Sequence, residues 1–234
     1  EMLRIKQKTY TMIADMADTH RGFLSVGMTP GRGSDMFPYV YPKFHDMYPD
    51  FTIEPRELSV RKQQDAIRKG ELDIGFVTIS EQQKTNDEYI DLFDEEIFLA
   101  LPEQYPIPEE YLQTDAVYPE LPLSMFRYEP FVMMYKESTI RKTVDQIFHD
   151  AGFSPTVLFE TSNNQTILSM VSAKMACALI PYHYVKQNPK GVRFYNLTTH
   201  PTWKVCVCYQ KNSYLSKAAK DFIQLVDDYW EHGK

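Results

Sequence analysis

Apolar strands alternate with amphipathic helices in the first third of the chain, and this alternation constrains the fold more than any other feature. Residues 24–28, 51–54 and 72–77 are short apolar runs of the kind that form strands. Between them, residues from about Ser34 onward and residues 59–69 carry apolar side chains at helical spacing. Helices that connect strands in this way cross over with a right hand and make the strands parallel. We therefore predict an α/β fold with a parallel sheet.

A second αβ block follows a connection that prolines interrupt at positions 102, 106, 108, 119 and 122. Its predicted strands are residues 96–102, 131–135, 155–160, 177–180 and 205–209. One helix is predicted over 139–151, another opens at the S-x-x-Q capping box of 162–165, and Ser216 caps a last helix. The sequence thus divides into blocks at about 22–98 and 99–206, with a final helix after them.

Composition excludes several classes of protein. The chain has 234 residues, of which 43% are hydrophobic and 14% aromatic, and this is enough for a substantial core. The net charge of -7 and the lack of a basic stripe argue against a nucleic-acid-binding face. No apolar run reaches the roughly 18 residues of a membrane span, and the N-terminus lacks the apolar centre of a signal peptide.

The cysteines indicate a reducing compartment. Cys177, Cys206 and Cys208 are odd in number and show no C-x-x-C spacing, which argues against a disulfide framework and against a zinc site. We therefore predict a cytoplasmic location. Cys206 and Cys208 are two residues apart and would face the same side of a strand, either as packed side chains or in a redox role.

Residues 1–20 are predicted to be helical, with a heptad-like seam of Met2, Ile5, Thr9, Met12 and Met16. Two interpretations fit this seam equally well. The helix packs on its own domain, or it is the end of a longer dimerising or linker helix. Because residue 1 is Glu rather than Met, we expect this chain to belong to a longer protein.

Polar residues follow several of the predicted strands, where α/β proteins bind ligands. The segment 29–34 resembles a ligand cradle, because it joins a strand to a helix start through two glycines. Arg32 either faces a pocket, where it would suit a carboxylate, or is exposed in the loop. Ser34, Ser138 and Ser162 fit helix caps as well as ligand contacts. The candidate binding residues are Thr29, Gly31, Arg32, Gly33, Ser34, Ser59, Thr78, Ser138, Thr139 and Thr161.

The sequence contains none of the catalytic motifs that would indicate an enzyme. The six histidines are scattered, and neither H-E-x-x-H nor a Ser-centred G-x-S-x-G occurs. The acidic run Asp94-Glu95-Glu96 is interpreted as solvated charge. We therefore predict no catalytic residues, no metal site and no cofactor.

The order of several short motifs resembles the effector-binding domain of LysR-type transcriptional regulators. These motifs are Val26-Gly27 with Phe37-Pro38 and Tyr48-Pro49, residues 69–75 (KGELDIG) with a G-x-L-D element, Ala151-Gly152-Phe153, residues 178–181 (ALIP), and Trp203 with residues 215–223. The family commonly has two glycines before the L-P element, where this chain has Lys174 and Ala176.

The resemblance implies a fold of two Rossmann-like αβ subdomains joined by crossover strands, similar to type 2 periplasmic binding proteins. Residues 1–20 would then be the end of a linker helix, residues 21–98 plus 207–234 subdomain I, and residues 99–206 subdomain II. Thr29, Arg32 and Thr139 fall at effector-contact positions of the family.

The resemblance also implies a function. A small effector, anionic by the chemistry of the candidate residues, would bind in the interdomain cleft and alter transcription through a rearrangement of the oligomer. The implied partners are a second effector domain in a homodimer, a tetramer in the full-length protein, and DNA through a winged helix-turn-helix outside this chain. No membrane partner is expected. A transport-type solute-binding protein of the same fold and a small enzyme are the alternatives.

Overall fold

The computed structural model describes residues 9–10, 12–13, 15 and 21–232, so the linker helix predicted for residues 1–20 lies largely outside the described residues. The chain forms two compact units. Unit 1 combines Glu1–Phe93 with Val205–Lys234, and unit 2 is Asp94–Lys204. The division therefore falls after residues 93 and 204, where the sequence prediction has it after residues 98 and 206.

The secondary structure alternates between strands and helices along most of the chain. The elements are β1 (Gly22–Met28), α1 (Arg32–Met47), β2 (Phe51–Glu57), α2 (Val60–Arg68), β3 (Ile74–Ile79), β4 (Glu88–Pro102), β5 (Glu120–Leu121), β6 (Pro130–Met134), α3 (Thr139–Asp150), β7 (Thr156–Thr161), α4 (Asn164–Ser172), β8 (Ala178–Pro181), α5 (Tyr182–Val185), β9 (Val192–Leu197), β10 (Thr202–Tyr209) and α6 (Lys217–His232). Among the described residues, no helix combines the length and the apolar character that crossing a membrane requires.

Unit 1 contains the parallel strands that the sequence predicts. β1 lies between β2 and β3 and is parallel to both, with Met28 opposite Glu57 and Val26 opposite Ile74. The carboxyl ends of these strands therefore meet at one edge of the sheet. The α/β fold class is confirmed, and β4 and β10 are the two strands that carry the chain from one unit into the other.

The two faces of β10 bury different side chains. Val205 and Val207 pack with the apolar faces of α1 and α6. Cys206 and Cys208 pack on the other face, in a cluster that includes residues of α2. Successive side chains of a strand point to opposite faces, so this division follows directly from the sequence. The prediction that the two cysteines face the same side is confirmed.

Unit 2 combines antiparallel and parallel pairs. β4 is antiparallel to both β8 and β9, and β5 is parallel to β9. β6 and β7 form a separate parallel pair. Phe131 of β6 meets Phe148 of α3 edge to face, with ring centroids 4.8 Å apart, and both side chains are buried. The apolar face predicted for the helix over 139–151 is thus the face that α3 buries.

Two predicted helix starts are wrong. The first is that of α1, which begins at Arg32 because the Gly33 N–H already donates to the Thr29 carbonyl at 2.9 Å. Ser34 and Asp35 lie inside the helix, so neither is its N-cap.

The second is that of α4, whose N-cap is Asn163 rather than Ser162. The Asn163 side chain accepts a hydrogen bond from the Gln165 N–H at 2.8 Å, so the predicted capping box does not form. The prediction for α6 is confirmed, since the Ser216 hydroxyl oxygen accepts a hydrogen bond from the Ala219 N–H at 3.2 Å.

Candidate functional site

The strand ends of unit 1 bring several candidate residues to one edge of the sheet. The Leu58 N–H donates to the Met28 carbonyl at 2.9 Å, and this bond joins the residues that follow β1 to those that follow β2. Ser59 is exposed beside this junction and is the N-cap of α2. Thr78 is buried within β3, one residue before that strand ends.

The two glycines of the predicted cradle are required by the local structure, independently of any ligand. Gly31 has a φ of 85°, a backbone conformation that residues with a Cβ rarely adopt. A Cβ on Gly33 would lie 2.4 Å from Cγ of Met28, because the first turn of α1 packs directly on the end of β1. Both residues shape the turn, and a contact from either to a ligand stays a prediction.

Ser34 is exposed and already has an acidic partner. Its hydroxyl donates to Oε1 of Glu57 at 2.8 Å. The carboxylate therefore stands beside the first turn of α1, where the helix dipole attracts negative charge. An anion that approached this helix end would meet the charge of Glu57, and its binding there would be weakened.

Arg32 is buried, so the interpretation of an exposed loop arginine is wrong. Only 6% of its surface is accessible, and its guanidinium carbon lies 5.8 Å from the ring centroid of Trp230. A guanidinium over an indole face is stabilised by the ring quadrupole and by burial of the aliphatic stem. Arg32 thus links the start of α1 to the end of α6.

The strand ends of unit 2 bring together Ser138, Thr139 and Thr161. β6 and β7 are parallel and end side by side, and the Tyr135 N–H donates to the Thr161 carbonyl at 3.0 Å. Ser138 is the N-cap of α3, and its hydroxyl oxygen accepts from the Arg141 N–H at 3.3 Å. Thr139 is the first helical residue and is partly exposed, as are Ser138 and Thr161.

The sequence analysis did not single out Arg141, whose side chain donates hydrogen bonds to three residues in this part of unit 2. It is 6% exposed, and its Nη1 donates to the Met134 carbonyl at 2.8 Å and to Glu160 at 2.6 Å. Its Nε donates to Asp145 at 2.8 Å. Burial lowers the pKa of Arg141, but the hydrogen bonds to Asp145 and Glu160 outweigh it and raise the pKa. The available signal was the Arg–Asp spacing of four residues on a helix that begins at a strand end.

The acidic run 94–96 is not uniformly solvated, and the prediction is wrong for Glu95. That residue is 3% exposed. Its carboxylate accepts from the Trp203 indole N–H and from the His183 N–H, each at 2.8 Å. The two donors satisfy a charge that burial would otherwise penalise strongly. Asp94 does lie at the surface, where it pairs with Lys204 at 3.1 Å.

Neither thiol chemistry nor metal chemistry is favoured by what the structure describes. Burial raises the pKa of Cys177, Cys206 and Cys208 to about 12 in each case, so these thiols stay protonated at neutral pH. Within the described ranges, no group of three or more His, Cys, Asp or Glu side chains could hold a metal ion. The polar strand ends of the two units are therefore the candidate functional sites.

Relatives of known family match almost the whole chain. An HTH-type transcriptional regulator of Bacillus subtilis, YwbI, is 26% identical over 223 residues, which are 94% of this chain and 71% of that protein. The C-terminal domain of a probable LysR family transcriptional regulator from Rhodococcus sp. RHA1 has a similar fold, with a TM-score of 0.72 at 22% identity. That comparison covers 88% of this chain and 98% of the solved one.

A second solved structure and a family model also match this chain. The solved structure of full-length CbnR, in complex with its target DNA, has a TM-score of 0.70 at 15% identity and covers 96% of this chain and 76% of CbnR. The model of the LysR substrate binding domain matches residues 17–231. This match spans both units, so the chain belongs to the LysR substrate binding domain family.

Proposed function

We propose that this chain senses a small anionic effector on behalf of a LysR-type transcriptional regulator. Family membership supports a sensing domain and favours it over a transport-type solute-binding protein. The choice of an anionic ligand rests on the carboxyl end of the parallel pair β6–β7 in unit 2. There Ser138, Thr139 and Thr161 lie together at the start of a 12-residue helix. Helix N–H groups and hydroxyls at such a place favour carboxylates and phosphates.

The proposed contacts in unit 1 are Thr29, Gly31, Gly33, Ser59 and Thr78, whereas Ser34 is disfavoured for an anion because its hydroxyl donates to Glu57. They rest on the meeting of β1, β2 and β3 at one edge. Arg32 is the least suited of the candidates, because its guanidinium already packs on Trp230. The interdomain position of the effector, which the family resemblance implies, stays a prediction.

The sensor would control DNA binding by preferring one conformational state of the regulator. A ligand shifts such an equilibrium only by its difference in affinity for the two states. A roughly 100-fold preference corresponds to about 2.7 kcal/mol. DNA contact would come from a winged helix-turn-helix of the longer protein, in the cytoplasm, within a homodimer of effector domains or a tetramer. The relative YwbI is described as an HTH-type regulator, and CbnR was solved on its target DNA.

A thermal-shift screen tests the proposed ligand class. The wild-type chain is titrated with a panel of carboxylic acids, amino acids and phosphorylated metabolites, and a saturable rise in Tm identifies binding to the native state. Thr161→Val removes a hydroxyl at the carboxyl end of β7, and Thr156→Val is the matched control at its exposed amino end.

We expect an anionic compound to raise the Tm of the wild type and of Thr156→Val equally. It should raise the Tm of Thr161→Val clearly less at equal concentration, because a ten-fold weaker affinity removes about 1.4 kcal/mol of the stabilisation by the ligand. A panel without any anionic hit would overturn the proposed ligand class. A hit that Thr161→Val retains in full would remove the end of β7 from the site.

A further inference from the structure

We infer that Arg141 is the positioning residue of the effector site in unit 2, an assignment that rests on the proposed function. Three elements meet at this side chain. It belongs to the first turn of α3, its Nη1 donates to the last residue of β6 and to the penultimate residue of β7, and it is almost fully buried. Two of these elements carry or adjoin candidate contacts, since α3 begins at Thr139 after its cap Ser138 and β7 ends at Thr161.

The geometry requires an arginine. Nη1 is shared between the Met134 carbonyl and Glu160, while Nε is directed at Asp145 on the same helix. A planar guanidinium holds these directions in one rigid fork, whereas the ammonium of a lysine is a point charge on a flexible stem. Buried, charge-assisted hydrogen bonds of this kind are about twice as strong as neutral ones. The ends of β6 and β7 are therefore fixed relative to α3.

The main chain of Arg141 completes the arrangement. Its N–H donates to the Ser138 hydroxyl oxygen, so one residue sets both the cap of α3 and the spacing of the strand ends. The Tyr135 N–H adds a bond to the Thr161 carbonyl on the other side of the loop. Loss of the Arg141 side chain would leave these two main-chain bonds in place, but it would free Met134 and Glu160, on which the positions of the loop before Ser138 and of Thr161 depend.

The charge on Arg141 is not what attracts the effector. Two carboxylates, Asp145 and Glu160, lie within hydrogen-bond distance of the guanidinium and more than neutralise its single charge. An anion at this site would be held by the N–H groups of the first turn of α3 and by the hydroxyls. Arg141 orients those donors, and this distinguishes it from an arginine that binds a carboxylate directly.

The test compares four variants of the whole chain. Arg141→Lys keeps the charge and loses the fork, and Arg141→Gln loses both. Glu160→Gln keeps an acceptor oxygen for Nη1. Lys142→Arg changes the exposed side chain at the neighbouring position of α3, keeps its charge, and is the matched control. Amide hydrogen exchange is followed in peptides that cover residues 135–141 and 159–163. Dissociation constants are measured for succinate, L-glutamate and inorganic phosphate at a temperature where every variant is folded.

We expect both Arg141 variants to raise exchange in these two segments at least ten-fold and to raise the dissociation constant of the binding probe at least ten-fold. Lys142→Arg should change neither quantity, and Glu160→Gln should change both by less than Arg141→Lys. A purely structural role would lower the Tm and leave the dissociation constant unchanged, and that result would overturn the assignment.

Failure of the proposed function has a separate signature. If none of the three probes binds the wild-type chain, the result contradicts the proposed function and leaves the role of Arg141 in the fold to be decided separately. Hydrogen exchange still decides whether Arg141 fixes the strand ends. Unchanged exchange in residues 135–141 and 159–163 of Arg141→Lys would overturn the inference whether or not a probe binds.

Discussion

Ser25 and Asp73 hold each other through reciprocal hydrogen bonds between β1 and the start of β3. The Ser25 N–H and its hydroxyl both donate to Oδ2 of Asp73, at 2.9 and 2.7 Å, and the Asp73 N–H donates back to the Ser25 hydroxyl at 2.9 Å. Ser25 is fully buried, so its polar groups depend on this partner. Asp73 is the acidic residue of the G-x-L-D element, and its role is to join two strands of the sheet.

Removal of the Asp73 carboxylate should destabilise unit 1. Asp73→Ala leaves a buried N–H and a buried hydroxyl of Ser25 without this acceptor, and the loss is about 1–3 kcal/mol of the free energy of unfolding. Urea denaturation followed by circular dichroism measures it. Asp46→Ala, which removes an equal charge from the exposed surface of α1, should change the free energy by less than about 0.5 kcal/mol. Equal effects of the two variants would contradict the role of the Ser25–Asp73 pair.

The stability of unit 2 should depend on the protonation of His200. Its two ring nitrogens lie 2.6 Å from Glu96 and 3.1 Å from Glu120, and the hydrogen bonds to these carboxylates raise the pKa of His200 above its ordinary value of 6.5. Because the pKa is raised in the folded state, the stabilisation is fully present below about pH 6.5 and is lost as the pH rises through the raised value.

Thermal unfolding across this pH range checks the prediction for His200. The Tm difference between the wild type and His200→Asn should be largest at the acidic end and should shrink as the pH rises. Asparagine is the suitable replacement, since position 200 has a φ of 43° and Asn tolerates this conformation. A Tm difference that does not vary with pH would show that the imidazolium makes no contribution.

Replacement of Lys174 by glycine should stabilise the protein. Lys174 has a φ of 63° at the end of α4, where its N–H donates to the Val171 carbonyl and the Met175 N–H donates to the Met170 carbonyl. This is the Schellman arrangement, in which glycine is the usual residue at the left-handed position. We expect Lys174→Gly to raise the free energy of unfolding by about 0.5–1 kcal/mol.

The neighbouring position gives the control for Lys174→Gly. Ala173 has an ordinary helical φ of -75°, so Ala173→Gly gains no relief of strain and should lower the free energy of unfolding by about 0.5–1 kcal/mol. Opposite signs at two adjacent positions in the same urea titration would verify that backbone conformation decides the effect. Destabilisation by both substitutions would refute it.

The three thiols should be inert in the folded protein. Burial raises the pKa of each to about 12, and only a thiolate reacts readily with alkylating agents or peroxide. Intact mass after iodoacetamide treatment at neutral pH should show no adduct in the native protein and three in the protein unfolded by guanidinium chloride. Rapid labelling of native Cys206 or Cys208 would reopen the redox role.

Features that depend on local sequence were predictable. The parallel strands of unit 1, the apolar face of α3 and the cap at Ser216 follow from strand length, helical spacing and the preference of serine for N-cap positions. The spacing of Cys206 and Cys208 predicted correctly that both face one side of β10, because a strand has a period of two.

Features that depend on distant partners were not predictable in the same way. Glu95 is buried by Trp203, 108 residues further along the chain, and Arg32 is covered by Trp230, so neither local pattern contains the partner. β9 has no counterpart among the predicted strands, and its place is set by pairing with β4. At the candidate site, the strand ends were predictable from the sequence, whereas Arg141 needed three elements to be placed together.

The division of the chain has a consequence for its synthesis. Unit 2 is a single uninterrupted stretch, whereas the core of unit 1 includes Phe222, Val226 and Trp230 of the last helix. A nascent chain leaves the ribosome from its N-terminus. All residues of unit 2 have therefore been synthesised before α6, which completes the core of unit 1, is translated. The unit that is translated first is therefore completed last. Until α6 emerges, the apolar face of α1 that packs against α6 stays exposed, and it is there that we expect the nascent chain to be prone to aggregation.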